Sequence, residues 1–171
     1  MSTDIITNEY VFFYGGIYSQ WFPCEFVIFN QHYNCAEQFM MAQKAIMFKD
    51  VDTLNKILAS QNPYEQKQLG KQVKGFDKVV WETRCKDIVI AGNLGKFGQN
   101  KDLREQMLLT EDKKFVEASP TDKIWGIGIS LSEILKQIHR PHPHVIGPSE
   151  WKGTNWLGEC LDEVKKQLKL D

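Results

Sequence analysis

The hydrophobic and polar positions between Tyr33 and Phe48 predict a helix that is apolar on almost every side. When successive residues are placed about 100° apart, Glu37 and Lys44 fall on the same stripe of this helix. Two turns separate the carboxylate from the amine, roughly 10 Å along the axis, and the lysine stem leans back toward the N-terminus. Burial of either charge without a partner is costly, so the pattern favours a pocket in which both charges are used.

Local capping offers another interpretation of Glu37. Asn34 can cap the helix, which places Glu37 at the third helical position, where a carboxylate reaches back to the backbone of the cap. The corresponding interpretation of Lys44 is a surface lysine whose stem covers apolar neighbours while its amine stays in water. The helix pattern alone leaves these interpretations open beside the chemical one.

Further strands and helices follow from hydrophobic periodicity and from turn and capping residues. Three strands are predicted, at Glu9–Tyr14, Cys24–Asn30 and Lys113–Glu117. The predicted helices besides the apolar one are a helix capped by Asp50 or Asp52 and reaching Leu58, a helix starting at Asn62-Pro63, Asp77–Phe97, a helix from Asn100 to Leu109 and a final helix from about Thr154. Residues Asn30–Asn34 are expected to form the turn into the apolar helix.

Length and composition indicate an ordinary globular chain. With 171 residues, 42% of them hydrophobic and 25% charged, one domain spanning residues 1–171 is expected. The formal net charge of −1 argues against a protein that binds nucleic acid by broad neutralisation of phosphates. A compact positive pocket for one phosphorylated ligand remains compatible with this charge.

No signal segment or membrane span is recognisable, so a cytoplasmic protein without membrane association is expected. The four cysteines, Cys24, Cys35, Cys85 and Cys160, are scattered and contain no Cys-x-x-Cys pair. Reduced thiols are therefore expected, rather than a disulfide framework or a zinc site.

Two motifs in the last third of the chain are compatible with ligand binding. The segment WGIG runs from Trp125 to Gly128. It combines a large π surface with glycines that let the backbone approach a ligand closely, which suits a base or a sugar phosphate. A buried tryptophan beside a glycine turn is the alternative. Thr154-Asn155, followed by Gly158, offers free backbone N–H groups to an anion or forms a plain helix cap.

The histidines His139, His142 and His144 lie in the segment HRPHPH. Prolines hold this segment extended instead of presenting the rings from one helix face, so a metal site is not favoured.

Five segments, taken in order, resemble the YbiA-like, or NADAR, family over almost the whole chain. They are YSQWFP, CAEQFMMAQKA, WETRCKDIVIAGNLGKFGQNKDLREQMLLT, SPTDKIWGIGIS and WKGTNWLGECLDEV. The resemblance implies an α+β fold, a mainly helical single domain with a small β-sheet. It also implies a cytosolic N-glycosidase that uses no metal and no cofactor. Members of the family act on phosphoribosylamino pyrimidine intermediates of riboflavin synthesis or on ADP-ribose attached to guanine.

Carried over residue by residue, the resemblance places the catalytic carboxylate at Glu37 and a functional lysine at Lys44. It implies that Asp122 is a further catalytic group and that Trp125 binds substrate. Weaker substrate-binding candidates are Arg84, Gln38, Gln43, Asn155, Gly128 and Trp21. Two positions depart from the family pattern, since Gln20 stands where many relatives have asparagine and WGIG replaces WGDG.

The predicted function is hydrolysis of the N-glycosidic bond between an ADP-ribosyl group and a base. The alternatives are an N-glycosidase for riboflavin intermediates and a non-catalytic ADP-ribose or NAD binding module. The expected partner is a nucleotide sugar, or ADP-ribosylated guanine in a nucleotide or nucleic acid, with no obligate protein partner. Lys44 has two possible roles in this chemistry, as a fixed charge for a phosphate or hydroxyl and as a Schiff-base amine.

Overall fold

A computed structural model describes residues 3–170, which form a mainly helical α+β fold with small sheets. The strands are β1 (Ile5–Ile6), β2 (Tyr10–Phe13), β3 (Phe26–Ile28), β4 (Gln31–Tyr33) and β5 (Lys114–Glu117). The helices are α1 (Ala36–Met47), α2 (Val51–Ala59), α3 (Pro63–Lys71), α4 (Lys78–Glu82), α5 (Cys85–Gln99), α6 (Lys101–Leu108), α7 (Leu131–Ile138) and α8 (Trp156–Leu168), and a 3₁₀ turn spans Pro148–Glu150.

The chain divides into two compact units. The first unit combines the residues up to Ser19 with those from Met107 onward, and the second unit is Gln20–Gln106. The expectation of one domain over residues 1–171 stays a prediction. No helix of the described residues is long and apolar enough to cross a membrane.

A three-stranded sheet forms the centre of the first unit. β2 is the middle strand, antiparallel to β1 and parallel to β5, with Val11 opposite Phe115 in the register of the parallel pair. Its apolar sequence YVFF suits a strand covered on both faces, and Phe12 and Phe13 have no exposed surface. α8 packs against β5. A buried cluster around Phe12 also includes Val116, Ala118, Ile127, Ile129, Ile134 and Ile146.

α1 is the helix around which the second unit packs, because α2, α3 and α5 all contact it. The packing is close where a neighbouring helix carries glycine. A methyl group added at Gly92 of α5 would lie 2.6 Å from the Phe39 ring, and one added at Gly70 of α3 would overlap Met41. These contacts cover the sides of α1 that the hydrophobic pattern made apolar.

The strand predicted at Cys24–Asn30 is confirmed in part, whereas the turn predicted at Asn30–Asn34 was wrong. The strand is shorter, and residues 31–33 form β4, which pairs with β3. The turn lies at Phe29 and Asn30, both with left-handed backbone (φ 50° and 61°), as a two-residue hairpin of the primed type requires.

The single helix predicted for Asp77–Phe97 is two helices, α4 and α5, separated at Thr83 and Arg84. The Thr83 hydroxyl donates to the Val80 carbonyl at 2.6 Å, a local bond that competes with helix continuation. α7 was missed, although Ser130 and Glu133 form a capping box that the sequence contains as S-x-x-E. Local signals elsewhere are confirmed, since Asp50 caps α2 and Asn62-Pro63 starts α3.

Candidate active site

The predicted site residues fall into two groups by unit. Glu37, Lys44, Gln38, Gln43, Arg84 and Trp21 belong to the second unit, whereas Asp122, Trp125, Gly128 and Asn155 belong to the first.

Glu37 lies in the first turn of α1 and is only 6% exposed. The helix is capped by Cys35, whose Sγ accepts the N–H of Gln38 at 3.4 Å, so Glu37 is the second helical residue. Its own N–H donates to the carbonyl of Gln20 at 2.9 Å. The alternative in which Asn34 caps α1 and Glu37 closes a capping box is therefore wrong.

Asn34 is used in a different way, which explains why it does not cap α1. Its Nδ2 donates to the carbonyl of Ser60 at 3.0 Å, and its Oδ1 accepts from Gln66 at 3.0 Å. Both partners lie more than 25 residues away in the chain, so no local pattern announces them. The backbone N–H of Asn34 is satisfied by Gln38 Oε1 at 2.8 Å.

Lys44 lies two turns after Glu37 and is half-buried among aromatic rings. Its Nζ is 4.1 Å from the ring centroid of Phe76 and 5.7 Å from that of Trp81. Burial lowers the pKa of Lys44 below its usual range, and the nearby carboxylate of Glu37 opposes this change. The amine and the carboxylate therefore act on each other electrostatically. Because the pKa of Lys44 is lowered, a larger fraction of its amine is neutral at a given pH than in a solvated lysine.

The two glutamines of α1 are engaged with the protein itself. Gln38 Nε2 donates to backbone carbonyls at the end of α2, including that of Ile57 at 3.0 Å. Gln43 hydrogen-bonds the side chain of Tyr33, which partly offsets the rise that burial causes in the pKa of this tyrosine. These bonds give both amides a structural role, and their substrate contacts stay predictions.

Trp21 and Arg84 are exposed residues of the second unit. Trp21 is 38% exposed, and its ring meets that of Tyr64 edge-on at a centroid distance of 6.4 Å, with Lys67 Nζ 5.9 Å from the Trp21 centroid. Arg84 occupies the capping position of α5 without a side-chain capping bond. Both side chains remain accessible to a ligand.

Asp122 shapes the turn that precedes Trp125. Its Oδ1 accepts the backbone N–H groups of Ile124 at 2.9 Å and Trp125 at 2.8 Å. Trp125 is half-buried, and its ring meets that of Trp156 edge-on at a centroid distance of 5.7 Å. The carboxylate thus orients the segment that carries the tryptophan.

Gly128 and Asn155 pack within the first unit. Gly128 has left-handed backbone (φ 69°), and an added methyl group would lie 3.1 Å from side-chain atoms of Lys123 and Lys152. Asn155 is the N-cap residue of α8, but its side chain makes no capping bond, since Oδ1 accepts from the Glu117 N–H and Nδ2 donates to the Phe115 carbonyl, both at 3.0 Å. The predicted cap position is therefore confirmed without the side-chain bond of a plain cap, and the predicted ligand contact of Asn155 stays a prediction.

No group of three or more His, Cys, Asp or Glu side chains within residues 3–170 is arranged to hold a metal ion. His144 instead lies 2.7 Å from Glu150, measured from Nε2 to Oε1. All four cysteines lie among the described residues, and none of them forms a disulfide bond.

Three residues that contact Lys44 or Gln20 were not among the predicted site residues. Phe76 and Trp81 surround the lysine amine, and Asn93 of α5 bonds Gln20 at 2.8 Å. Asn93 had a visible signal, because it stands in line with Val89 and Phe97 at helical spacing on a buried face. The contacts of Phe76 and Trp81 with Lys44 had no such signal, since these rings approach the amine only when the chain folds.

Comparison with known proteins identifies the family. The model of the NADAR domain matches residues 12–169, so the chain belongs to the NADAR domain family. N-glycosidase R617 of Acanthamoeba polyphaga mimivirus is 37% identical over 94% of this chain and 97% of that protein. N-glycosidase Npun_R5314 of Nostoc punctiforme is 27% identical over 90% of this chain and 86% of that protein.

A solved structure shares the fold. The NMR structure of the E. coli protein YbiA matches with a TM-score of 0.74 and 22% identity, over 97% of this chain and 88% of that chain. The resemblance inferred from the five sequence segments and the α+β fold that it implied are both confirmed.

Proposed function

We propose that this protein hydrolyses the N-glycosidic bond between an ADP-ribosyl group and a guanine base. The guanine belongs to a nucleotide or to nucleic acid. The chain is an N-glycosidase, a hydrolase of N-glycosyl bonds, by its family and by its similarity to proteins named N-glycosidase. The ADP-ribosyl guanine substrate is the further step of the proposal.

The coupled pair of Glu37 and Lys44 on α1 is the observation that carries the catalytic part. Cleavage of an N-glycosidic bond develops positive charge at the anomeric carbon and requires a proton for the departing base. Glu37 supplies that proton and its carboxylate then shields the charge, because its side chain is buried in the first turn of α1, on the helix that also carries Lys44. Lys44 provides an amine whose lowered pKa suits either contact with the sugar or nucleophilic attack.

Aromatic side chains support an ADP-ribosyl group over a smaller phosphoribosyl group. Trp125 and Trp156 meet edge-on in the first unit and are only half-buried, so ring surface remains for a purine. Trp21 and Tyr64 form a second edge-on pair in the other unit. Each pair by itself offers an aromatic face on which a purine of an ADP-ribosyl guanine can stack.

Release of free base from a panel of N-glycosides tests the proposal. ADP-ribosylated guanosine and guanine-containing oligonucleotides are compared with phosphoribosylamino pyrimidines, using chromatography of the products. Guanine release is expected to exceed pyrimidine release, and Glu37→Gln is expected to reduce it by about 10²- to 10⁴-fold. Glu82→Gln, at an exposed ion pair with Lys78, serves as the matched control with normal turnover.

Three outcomes would contradict parts of the proposal. Preferential cleavage of phosphoribosylamino pyrimidines would assign the enzyme to riboflavin intermediates. Saturable binding of ADP-ribose without any released base would indicate a binding module. Near-normal turnover by Glu37→Gln, or a loss of activity explained by unfolding, would remove Glu37 from the chemistry.

A further inference from the structure

The side chains of Gln20, which is half-buried, and Asn93, which is fully buried, form an amide pair that is only half satisfied. Asn93 has no exposed surface, and its Nδ2 donates to Gln20 Oε1 at 2.8 Å and to the Val89 carbonyl at 2.9 Å. The remaining atoms of the two amides, Gln20 Nε2 and Asn93 Oδ1, are buried without a hydrogen-bond partner. The pair thus contains one bond between the amides and two unsatisfied polar atoms.

This arrangement is a poor solution for stability. Each buried polar atom without a partner loses its hydration and gains nothing in return, whereas two apolar side chains of the same shape avoid that loss. Lys96, one turn after Asn93 on α5, is also fully buried, 5.4 Å from the ring centroid of Phe22. α5 therefore directs two buried polar side chains toward the loop between β2 and β3, which contains Gln20 and Phe22.

The backbone of Gln20 connects this loop to the N-terminus of α1. Its carbonyl accepts the N–H of Glu37 at 2.9 Å. This N–H is one of the first donors of the helix, which have no acceptor within the helix itself. Gln20 is therefore held at two points, by Asn93 through its side chain and by Glu37 through its backbone.

We propose that Asn93 is a positioning residue for the N-glycosidase reaction, acting through Gln20 on Glu37. The bond from Asn93 holds the Gln20 backbone where its carbonyl fixes the first turn of α1 and with it the Glu37 carboxylate. The inference rests on the catalytic role of Glu37 in the proposed function. Small displacements of a catalytic group are expensive, since about 1 Å can cost roughly 10²-fold in rate.

The double variant Gln20→Met with Asn93→Leu tests the inference, because it keeps the shape of both side chains and removes all their polar atoms. Its melting temperature is expected to equal or exceed that of the wild type, since no unpaired polar atom remains. Its kcat is expected to fall about tenfold or more with little change in KM. Hydrogen exchange of the Glu37 amide, followed by NMR, is expected to become faster because the Gln20 carbonyl is held less firmly.

A second double variant, in which the shorter and the longer amide side chain change places, tests whether restoring the bond restores activity. Gln20→Asn shortens one side chain by a methylene and Asn93→Gln lengthens the other, so the combined variant can restore the bond between them. It is expected to recover kcat relative to either single variant and to restore protection of the Glu37 amide.

Other results would refute either the positioning role of Asn93 or the catalytic role of Glu37. Unchanged kcat and unchanged Glu37 exchange in the apolar variant would overturn the positioning role, as would a parallel loss of stability and activity, which marks a purely structural pair. Glu37→Gln in the same assay separates the two proposals. Full activity of Glu37→Gln would refute the catalytic role on which the inference rests, whereas an inactive Glu37→Gln beside a fully active apolar variant would refute the positioning role alone.

Discussion

Lys96 is expected to make the protein more stable as the pH rises from about 8 to 10.5. Its side chain has no exposed surface, and burial lowers its pKa from 10.5 to about 8, although Cys24 and Cys35 partly oppose this effect. Between these two values the folded chain has lost the proton that the unfolded chain still binds. The free energy of unfolding therefore increases with pH in this window, and the full cost of burying the charged amine is present below about pH 8.

The size of the effect follows from the two pKa values. At about 1.36 kcal/mol per pKa unit, the difference between 10.5 and about 8 corresponds to about 3 kcal/mol for complete titration. Lys165 has a pKa of about 8 and contributes in the same direction, while burial raises the pKa of Cys35 to about 11 and that of Tyr18 to about 12. The wild-type curve therefore combines several groups, and only comparison with a variant isolates Lys96.

Lys96→Met is the appropriate variant, because it keeps the length of the side chain and removes its charge. Urea unfolding of the wild type and of Lys96→Met between pH 7.5 and 10.5 gives two curves of unfolding free energy. Their difference is expected to change by up to about 3 kcal/mol in favour of the wild type as the pH rises. Lys101→Met, at an exposed position paired with Glu105, is the control and should show no such change. Parallel curves for the wild type and Lys96→Met would refute the reasoning.

Two further predictions concern the chemistry and the ligand. Lys44→Arg keeps the charge but cannot form an imine. If Lys44 acts covalently, this variant is expected to lose turnover and still bind ADP-ribose. Borohydride added during turnover of the wild type is then expected to leave a sugar adduct on Lys44, detected by mass spectrometry. An active arginine variant, or no adduct under steady turnover, would argue for a fixed charge. Trp125→Ala is expected to weaken ADP-ribose binding measured by calorimetry, by about 1–3 kcal/mol if its ring stacks on a base. Unchanged affinity with a large loss of stability would identify Trp125 as a core residue.

Several elements of the fold could be read from neighbouring residues in the sequence. The buried helix α1 was recognisable because its sequence is apolar on almost every side, and residues 36–42 are all buried in the structure. Asp50 before α2 and Asn62-Pro63 before α3 were recognisable because a cap and its acceptor or donor lie within three residues. The stripe that carries Glu37 and Lys44 follows from helix geometry alone. The sequence therefore predicts that these two charges lie on one face of α1, where the carboxylate acts on the pKa of the amine.

Features that depend on distant residues were decided only by the tertiary structure. Asn34 had the sequence of a cap, but partners such as Ser60 and Gln66 take its side chain, and Cys35 caps α1 instead. Asn155 also had the sequence of a cap, before α8, but its side-chain amide hydrogen-bonds the backbone of Phe115 and Glu117 in β5.

The surroundings of the two charged residues have the same origin. The rings of Phe76 and Trp81 meet Lys44 from positions more than 30 residues along the chain, and Asn93 reaches Gln20 over 73 residues. Sequence periodicity determined which residues share a face of a helix, because that depends on the geometry of one segment. Folding decided what each polar atom binds and how strongly each charge is desolvated, because these depend on which segments pack together.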